Sequence, residues 1–226
     1  MEIEIIYQDQ HLVAINKPHG LLVHRTKIAN DADVFALQLL RDKINQKVFP
    51  VHRLDRKTAG VLLFTKSKEA LSEIREIFNA RKVAKTYVAI VRGHLNKAGV
   101  IDYALTENGK TQEAITEYKV LKQFELPIPM GKFDTSRYSL LQITPQTGRF
   151  HQIRKHLAHI FHPIIGDRPH GCNKQNKLWK DKFGMTTMLL HAQQLQFDYC
   201  KTTVTIKAEL SPQFKEALAI LENPNG

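Results

Sequence analysis

The chain is poor in cysteine, and it lacks long apolar runs and the common nucleotide-binding motifs. Cys172 and Cys200 are its only cysteines among 226 residues, which is too few for a disulfide scaffold and predicts a reducing, cytoplasmic setting. No apolar run approaches the roughly 18 residues of a membrane helix, and the acidic, alternating N-terminus is not typical of a signal peptide. P-loop, dinucleotide-binding glycine and nucleophile-elbow motifs are absent, so we expect no cofactor.

Acidic residues are also scarce, and the net charge is strongly positive. The 33 lysines and arginines exceed the 22 acidic residues by 11. Such an excess suits a polyanionic partner such as RNA, whereas a generally basic surface with no specific partner is the alternative. Residues 149–182 concentrate the positive charge and contain only Asp167 and Asp181 as acids. Their basic residues are Arg149, Arg154, Lys155, Arg168, Lys174, Lys177, Lys180 and Lys182.

The pattern of short apolar segments predicts an α+β fold with a mixed, mostly antiparallel central sheet flanked by helices and loops. Strands are predicted at 3–7, 12–15, 61–65, 85–91, 115–124, 138–144, 195–199 and 203–207. Helices are predicted at 34–45, 68–82 and 212–222, with a helix or strand–helix junction at 148–160. Residues 94–114 and 168–187 are predicted to be irregular surface loops. Because no linker or repeat interrupts the chain, we expect a single domain over residues 1–226.

The densest group of chemically active side chains surrounds Asp55, in the segment VHRLDRKTAG. Its basic neighbours are His52, Arg53, Arg56 and Lys57. Nearby cations favour the ionised carboxylate, which can act as a nucleophile, a base or a metal ligand. A charged surface loop with internal ion pairs is the ordinary alternative.

A second group occupies residues 147–167. Arg154 can form a bidentate pair with a carboxylate such as Asp55. Four histidines in this group raise the alternative of a metal site: His151, His156, His159 and His162. The corresponding function would be that of a zinc hydrolase that uses His151, His156, His159 or Cys172. No His-Glu-x-x-His motif or suitably spaced cysteine pair accompanies them, so we expect no metal.

The segment Lys85–Gly93 alternates as a strand that places Tyr87, Ala89 and Val91 on one face. A tyrosine on that face can stack on a nucleobase. The alternative is an ordinary sheet tyrosine with a satisfied hydroxyl group.

Together these segments resemble the RluA-type pseudouridine synthases. His52–Gly60 is similar to the catalytic motif of that family, and Lys85–Ala89 to its tyrosine strand. The remaining similar segments are Lys17–Gly20, Gly148–Arg154, Pro163–Asp167 and Leu190–Ala192. One departure is Ala59, where the family usually has serine.

The resemblance implies the pseudouridine synthase fold, with an active-site cleft between two halves, and an RNA substrate whose target uridine is flipped out. It implies three catalytic residues: Asp55, which attacks the sugar or the base or abstracts a sugar proton; Tyr87, which stacks on the uracil; and Arg154, which pairs with Asp55. Arg53 would fill the space that the flipped base vacates. The other RNA contacts would come from Lys17, Arg149, His151, Lys155 and Arg168.

Within the family, the segments 17–25, 135–138, 155–159 and 162–171 are most similar to the branch that modifies uridine 65 of tRNA. That branch implies a monomer without an S4-type RNA-binding domain. A ribosomal RNA pseudouridine synthase of the same family and a non-catalytic RNA-binding module are the alternatives.

Overall fold

The computed structural model describes residues 2–24 and 34–223, which form twelve strands and five helices. The strands are β1 (Glu4–Gln8), β2 (Leu12–Lys17), β3 (Phe49–Pro50), β4 (Ala59–Thr65), β5 (Ala84–Arg92), β6 (Ala98–Asp102), β7 (Leu105–Glu107), β8 (Lys110–Gln112), β9 (Ile115–Leu126), β10 (Ser136–Pro145), β11 (Leu190–Tyr199) and β12 (Thr202–Lys207). The helices are α1 (Ala36–Ile44), α2 (Lys68–Asn79), α3 (Gln152–His159), α4 (Asn173–Phe183) and α5 (Pro212–Glu222).

The chain divides into two compact units, and the first comprises residues 1–85 and 191–211. Its strands follow the order β1-β2-β4-β11, with β3 paired to β4 and β12 paired to β11. All pairs are antiparallel except β4 with β11, which run parallel. Every residue of β4 is buried, and its apolar run Val61–Phe64 is typical of a strand covered on both faces.

Helix α2 covers one face of the first unit. The Ser67 hydroxyl oxygen accepts a hydrogen bond from the Ala70 N–H (3.1 Å) and so caps the helix. The helix contributes Ile74 to a core that also contains Leu63 and Phe197. This core holds β4 in place, and the loop that precedes β4 carries Asp55.

The second unit comprises residues 86–190 and 212–226, with strands in the order β5-β10-β9-β6 and a separate β7–β8 hairpin. Its core packs Ala89 and Leu141 from the sheet against Ile153 and Leu157 from α3. Because residues 153 and 157 lie one helical turn apart, they share the buried face of α3.

The predicted α+β class with mostly antiparallel strands is confirmed, as are the helices predicted at 34–45, 68–82 and 212–222. Of the segment 148–160, residues 152–159 form α3. The single-domain organisation over residues 1–226 stays a prediction. Within the described residues, we find no helix that is both long enough and apolar enough to cross a bilayer.

Two predicted loops are wrong. Residues 94–114 contain β6 and the β7–β8 hairpin, whose turn has positive φ angles at Asn108 (49°) and Gly109 (75°). An Asn-Gly turn is a strong hairpin signal, but the flanking strands are so exposed that no apolar alternation marks them. Residues 168–187 contain α4, which buries only Gln175 and Trp179 and therefore has almost no apolar periodicity.

Candidate active site

Asp55 lies in the loop between β3 and β4, and this loop is held by backbone hydrogen bonds. The Val51 N–H donates to the Leu63 carbonyl (3.1 Å), and the Thr58 N–H donates to the Asp55 carbonyl (3.0 Å). The side chain of Leu54 is buried, whereas Asp55 is half-buried. The loop therefore holds its backbone against the sheet and leaves the carboxylate partly accessible.

His52 fixes the start of this loop. The Leu63 N–H donates to His52 Nε2 (3.2 Å), so that nitrogen carries no proton. Burial lowers the pKa of His52 to about 4, and its ring stacks on Phe78 with 5.5 Å between centroids. His52 is therefore a neutral structural acceptor at physiological pH.

The turn that follows β2 is tied to the Asp55 loop. The Gly20 N–H donates to the Arg56 carbonyl (2.8 Å), and Arg56 Nε donates to the Gly20 carbonyl (3.1 Å). Gly20 has a φ of +88°, which glycine adopts without strain. The segments Lys17–Gly20 and His52–Gly60, similar to two separate family motifs, thus form one structural element.

The buried side chain of Lys17 also holds this element together. Its side chain is completely buried, and Nζ donates to the carbonyls of Pro18 (3.0 Å), Leu21 (2.9 Å) and Arg56 (3.2 Å). Burial lowers the pKa of Lys17 to about 7, while the charge of Asp55 acts in the opposite direction. Three acceptors require three protons, so the geometry is that of the ammonium ion. This burial does not fit the predicted RNA contact of Lys17, because a buried ammonium with three acceptors cannot also reach a phosphate.

The end of the Asp55 loop is set by a close approach of two strands. Ala59 and Gly60 of β4 pair with His191 and Ala192 of β11. Gly60 has a φ of +108°, and a Cβ atom there would lie 2.1 Å from the Ala192 carbonyl oxygen. Only glycine fits this position, and the segment Leu190–Ala192 thereby has a structural role beside the loop.

Tyr87 lies near the start of β5 in the second unit. It is half-buried and packs beside Ala89 and Val91, which confirms the predicted common face of the three residues. Its stacking on a uracil ring stays a prediction.

Arg154 lies on the buried face of α3 and pairs with Asp167. Arg154 Nε donates to Asp167 Oδ2 (2.7 Å) and Nη2 donates to Oδ1 (2.8 Å). Both side chains are at most 5% exposed, so this is a buried bidentate ion pair. The pairing of Arg154 with Asp55 stays a prediction.

Asp167 and Gln152 are two important residues to which sequence reasoning assigned no role. Gln152 Oε1 accepts hydrogen bonds from the Thr147 hydroxyl (2.7 Å) and the Arg149 N–H (3.0 Å). Gln152 Nε2 donates to the Ile115 carbonyl (3.0 Å) and the Thr116 hydroxyl (2.9 Å). It thus anchors the first turn of α3 to the sheet. Asp167 could have been suspected as one of only two acids in a strongly basic segment.

The other residues predicted to contact RNA lie closer to the surface. Arg53 and Arg168 are exposed. Arg149 is half-buried, and its Nε donates to the Glu113 carbonyl (3.1 Å). The RNA contacts of Arg53, Arg149 and Arg168 stay predictions.

His151 and Lys155 form a small cluster with an exposed aromatic ring. The Phe150 ring stacks on His151 at 3.7 Å, and Lys155 Nζ lies 5.4 Å from the Phe150 ring centroid. His151 Nδ1 is 2.9 Å from His170 Nε2. This cluster combines positive charge with an accessible aromatic face, and its RNA contacts stay predictions.

The four histidines that suggested a metal do not converge on one point, although His156 and His159 both contact Tyr103. His156 is buried with Nε2 2.9 Å from the Tyr103 carbonyl, whereas His159 stacks on the Tyr103 ring at 3.7 Å. His162 lies beyond α3, with Nδ1 2.7 Å from the Arg92 carbonyl. Among residues 2–24 and 34–223, no three His, Cys, Asp or Glu side chains are grouped so that they could hold a metal ion.

Comparisons with known sequences agree on one family for this chain. The sequence model of the family described as RNA pseudouridylate synthase matches residues 11–159. The chain is 43% identical over 236 residues to the tRNA pseudouridine synthase C of Vibrio parahaemolyticus, covering 98% of this chain and 96% of the relative. It is 45% identical over 228 residues to the protein of the same name from Haemophilus ducreyi, covering 95% and 94%.

Solved structures share the fold. Human RNA Pseudouridylate Synthase Domain Containing 4 superposes with a TM-score of 0.74 at 26% identity, covering 97% of this chain and 93% of the human one. Human RNA Pseudouridylate Synthase Domain Containing 1 has a TM-score of 0.76 at 23% identity, covering 94% and 86%, and supports the fold alone. On the matched residues, the full-length relatives and the arrangement around Asp55, the chain belongs to the RluA-type RNA pseudouridylate synthase family.

Proposed function

We propose that this protein isomerises uridine 65 of tRNA to pseudouridine and that Asp55 initiates the reaction. The assignment of tRNA as the substrate rests on one observation. The chain is similar, over almost the full length of both chains, to proteins named tRNA pseudouridine synthase C. The family supplies the reaction class, because a pseudouridine synthase is an isomerase. The assignment of position 65 rests on the resemblance of the segments 17–25, 135–138, 155–159 and 162–171 to that branch; residue 25 lies outside the residues that the structure describes.

The reaction leaves the atomic composition of the nucleotide unchanged. The bond between N1 of uracil and C1′ of ribose breaks, the ring turns, and C5 forms a new bond to C1′. The proton on C5 is then lost, and N1 gains one from solvent. No electrons are transferred to another molecule, so the chemistry requires positioning and proton transfer only.

The target uridine must leave the base stack before a side chain can reach it. Flipping a base out costs a few kcal/mol, which contacts to the RNA backbone can offset. The excess of 11 positive charges suits such contacts. Arg53, exposed two residues before Asp55, is proposed to occupy the space that the base leaves.

Asp55 suits a role that depends on exact placement. The hydrogen bonds of Gly20, Lys17 and Thr58 fix the backbone on the C-terminal side of Asp55 before any substrate binds. A preorganised carboxylate loses little entropy when it meets the reacting atom. The charge of Asp55 acts on Lys17 in turn, because Coulombic attraction favours the ammonium form and so raises the pKa of Lys17 against the effect of burial.

Tyr87 and Arg154 are proposed to act on the same nucleotide. Tyr87 would stack on the flipped uracil and assist loss of the C5 proton. Arg154 would pair with Asp55 and orient it. Asp167 engages two of the five N–H donors of the guanidinium and fixes its plane, which would set the direction in which Arg154 acts.

The experiment is to incubate the purified protein with separate tRNA and ribosomal RNA transcripts and to map pseudouridine at single-nucleotide resolution. We expect product at position 65 of tRNA and none when that uridine is replaced by cytidine. Asp55→Asn should remove detectable product while most of the RNA affinity remains, because the amide keeps the size of the side chain and loses its charge. Asp134→Asn, in an exposed loop, is the matched control and should retain full activity.

Product confined to ribosomal RNA would refute the tRNA assignment and leave the reaction class standing. Pseudouridine formed by Asp55→Asn at the original rate would refute the role of Asp55. Binding of RNA without any isomerisation by the unmodified protein would favour the non-catalytic RNA-binding alternative.

A further inference from the structure

The second unit contains a basic groove that is separate from the residues assigned to catalysis. It has a volume of about 420 Å³ and lies between the turn at 166–168, helix α4 and residues 185–186. Its charged lining residues are Arg168, Lys177, Lys180 and Asp181. We call it the α4 groove; its charged lining carries a formal excess of two positive charges.

Helix α4 is oriented so that two of its four lysines, Lys177 and Lys180, line this groove. The opposite face buries Gln175 and Trp179, where Gln175 Oε1 accepts a hydrogen bond from the Tyr138 hydroxyl (2.8 Å). Lys177 and Lys180 are exposed on the groove side, one turn apart. Two cations are thus presented along one line instead of being spread around the helix.

The position of α4 is fixed by Asn176. Its Oδ1 accepts from the Gly166 N–H (2.8 Å), and its Nδ2 donates to the Asp167 carbonyl (2.7 Å). At Gly171, a Cβ atom would lie 1.8 Å from the same carbonyl oxygen, so the turn closes only with glycine there. The groove wall is therefore joined directly to the residue that holds Arg154.

A structural role accounts for only part of this charge. Lys180 and Lys182 lie in the last turn of α4, where cations stabilise the negative end of a helix dipole. Lys177 lies further from that end, and Arg168 is not on the helix at all. Their convergence with Lys180 on one groove needs another explanation.

We propose that the α4 groove binds the phosphodiester backbone of the RNA substrate, away from the target uridine. The inference rests on the proposed function, which supplies RNA as the partner. Ammonium and guanidinium groups arranged along a groove suit successive backbone phosphates, and contacts of this kind position an RNA without reading its sequence. Because Asn176 joins the groove to Asp167, RNA held there is docked on the same rigid segment that holds Arg154.

The test compares two double variants of the same helix. The groove variant is Lys177→Ala with Lys180→Ala, and the control is Lys174→Ala with Lys182→Ala, whose side chains do not line the groove. Both remove two positive charges from exposed positions of α4, so bulk electrostatics and helix content change alike. Circular dichroism melting of each variant checks that the fold is kept.

The measurement is the affinity for a tRNA transcript as a function of salt between about 50 and 200 mM. For the groove variant, we expect the slope of log affinity against log salt to become shallower by about 1.5 to 2, because two phosphate contacts are lost. For the control, we expect a change below about 0.5 in that slope. The rate at saturating RNA should remain that of the unmodified protein in the control variant, whose lysines lie outside the groove.

Asp181→Asn provides a variant whose expected effect on RNA affinity has the opposite sign. It removes the only carboxylate charge from the lining and should tighten RNA binding a fewfold, a result that structural damage would not produce. Equal slopes for the groove variant and the control would overturn the proposal, as would an unchanged slope for the groove variant. Inorganic phosphate that binds the unmodified protein but not the groove variant, and that leaves the RNA affinity unchanged at constant ionic strength, would identify a free-anion site instead and would also overturn it.

These outcomes are independent of catalysis. Pseudouridine formation by the unmodified protein, together with an unaltered slope in the groove variant, would refute the groove and leave the proposed function intact. If the groove variant loses RNA binding while the unmodified protein forms no pseudouridine, the proposed function is refuted and the RNA-binding role of the groove stands.

Discussion

Lys17 carries a charge that is completely removed from solvent. Its three carbonyl partners belong to two chain segments, the turn after β2 and the Asp55 loop. A buried cation is tolerated where its donors are all satisfied and a carboxylate lies nearby. Lys17 is therefore a positioning residue, which acts on the reaction through the position of the Asp55 loop.

We predict that Lys17→Met lowers the free energy of unfolding by roughly 2 kcal/mol, because the apolar stem still packs while three carbonyls lose their donor. The turnover number should fall, since the Asp55 loop is no longer held, and KM for RNA should stay nearly constant. Urea denaturation and steady-state kinetics on a tRNA transcript measure these effects. Lys43→Met is the control: its Nζ donates to the Ile3 carbonyl near the surface, and its loss should cost less than about 0.5 kcal/mol. A rise in KM with normal turnover would instead support a direct RNA contact by Lys17.

Strand β4 determines where the Asp55 loop ends. Its first residues run beside β11 at a distance that excludes a side chain at Gly60. The Asn108-Gly109 turn also places a glycine at positive φ, but no atom lies within 4 Å of a Cβ built at Gly109. These two glycines separate the effect of backbone conformation from the effect of close packing.

We predict that Gly60→Ala lowers the free energy of unfolding by more than about 3 kcal/mol, because the new methyl group meets backbone that cannot move aside. Gly109→Ala should cost about 1 kcal/mol, the conformational penalty alone. Urea titrations of both variants measure the difference, and only Gly60→Ala should lose pseudouridine formation. A similar loss of stability in both variants would show that β11 shifts enough to accommodate the methyl group at position 60.

At the scale of the whole molecule, three histidines that are buried or half-buried link stability to pH. Burial is the main cause that lowers the pKa of His19, His52 and His191 to about 4, and for His19 the charges of Lys17 and Lys57 add to it. In the unfolded chain these groups titrate near about 6.5. Between those two pH values the unfolded chain binds more protons than the folded one, so the free energy of unfolding decreases as the pH falls.

We predict a loss of stability on acidification from about pH 6.5 to about pH 4, to which these three groups contribute at most roughly 4 kcal/mol per pH unit. His52→Gln should remove about a third of that contribution, because the amide oxygen still accepts from the Leu63 N–H and does not titrate. Urea denaturation across this pH range measures the slope. If His52→Gln leaves the dependence of the free energy of unfolding on pH unchanged, the assignment of His52 as a neutral side chain in the folded protein is contradicted.

Much of the fold was predictable because local patterns report burial. The alternation around Tyr87 and the apolar spacing of α2 depend on residues a few positions apart, and both were confirmed. Helix α4 and the β7–β8 hairpin were missed for the same reason, since elements that bury so little carry almost no periodic signal. The Asn108-Gly109 dipeptide was the one local sign of the hairpin.

The sequence by itself determined the family, the chemistry available at Asp55 and the basic character of residues 149–182. Only the tertiary structure decided the partners of the charged groups: Arg154 pairs with Asp167, thirteen positions away, and Lys17 reaches the carbonyl of Arg56, thirty-nine positions away. The physical reason is that a charge is stabilised by whatever polar group the fold brings within about 3 Å, and no local pattern encodes that neighbour. Likewise, the spacing of the lysines along the sequence does not show that Lys177 and Lys180 line one groove, because the other residues of its lining come from the fold.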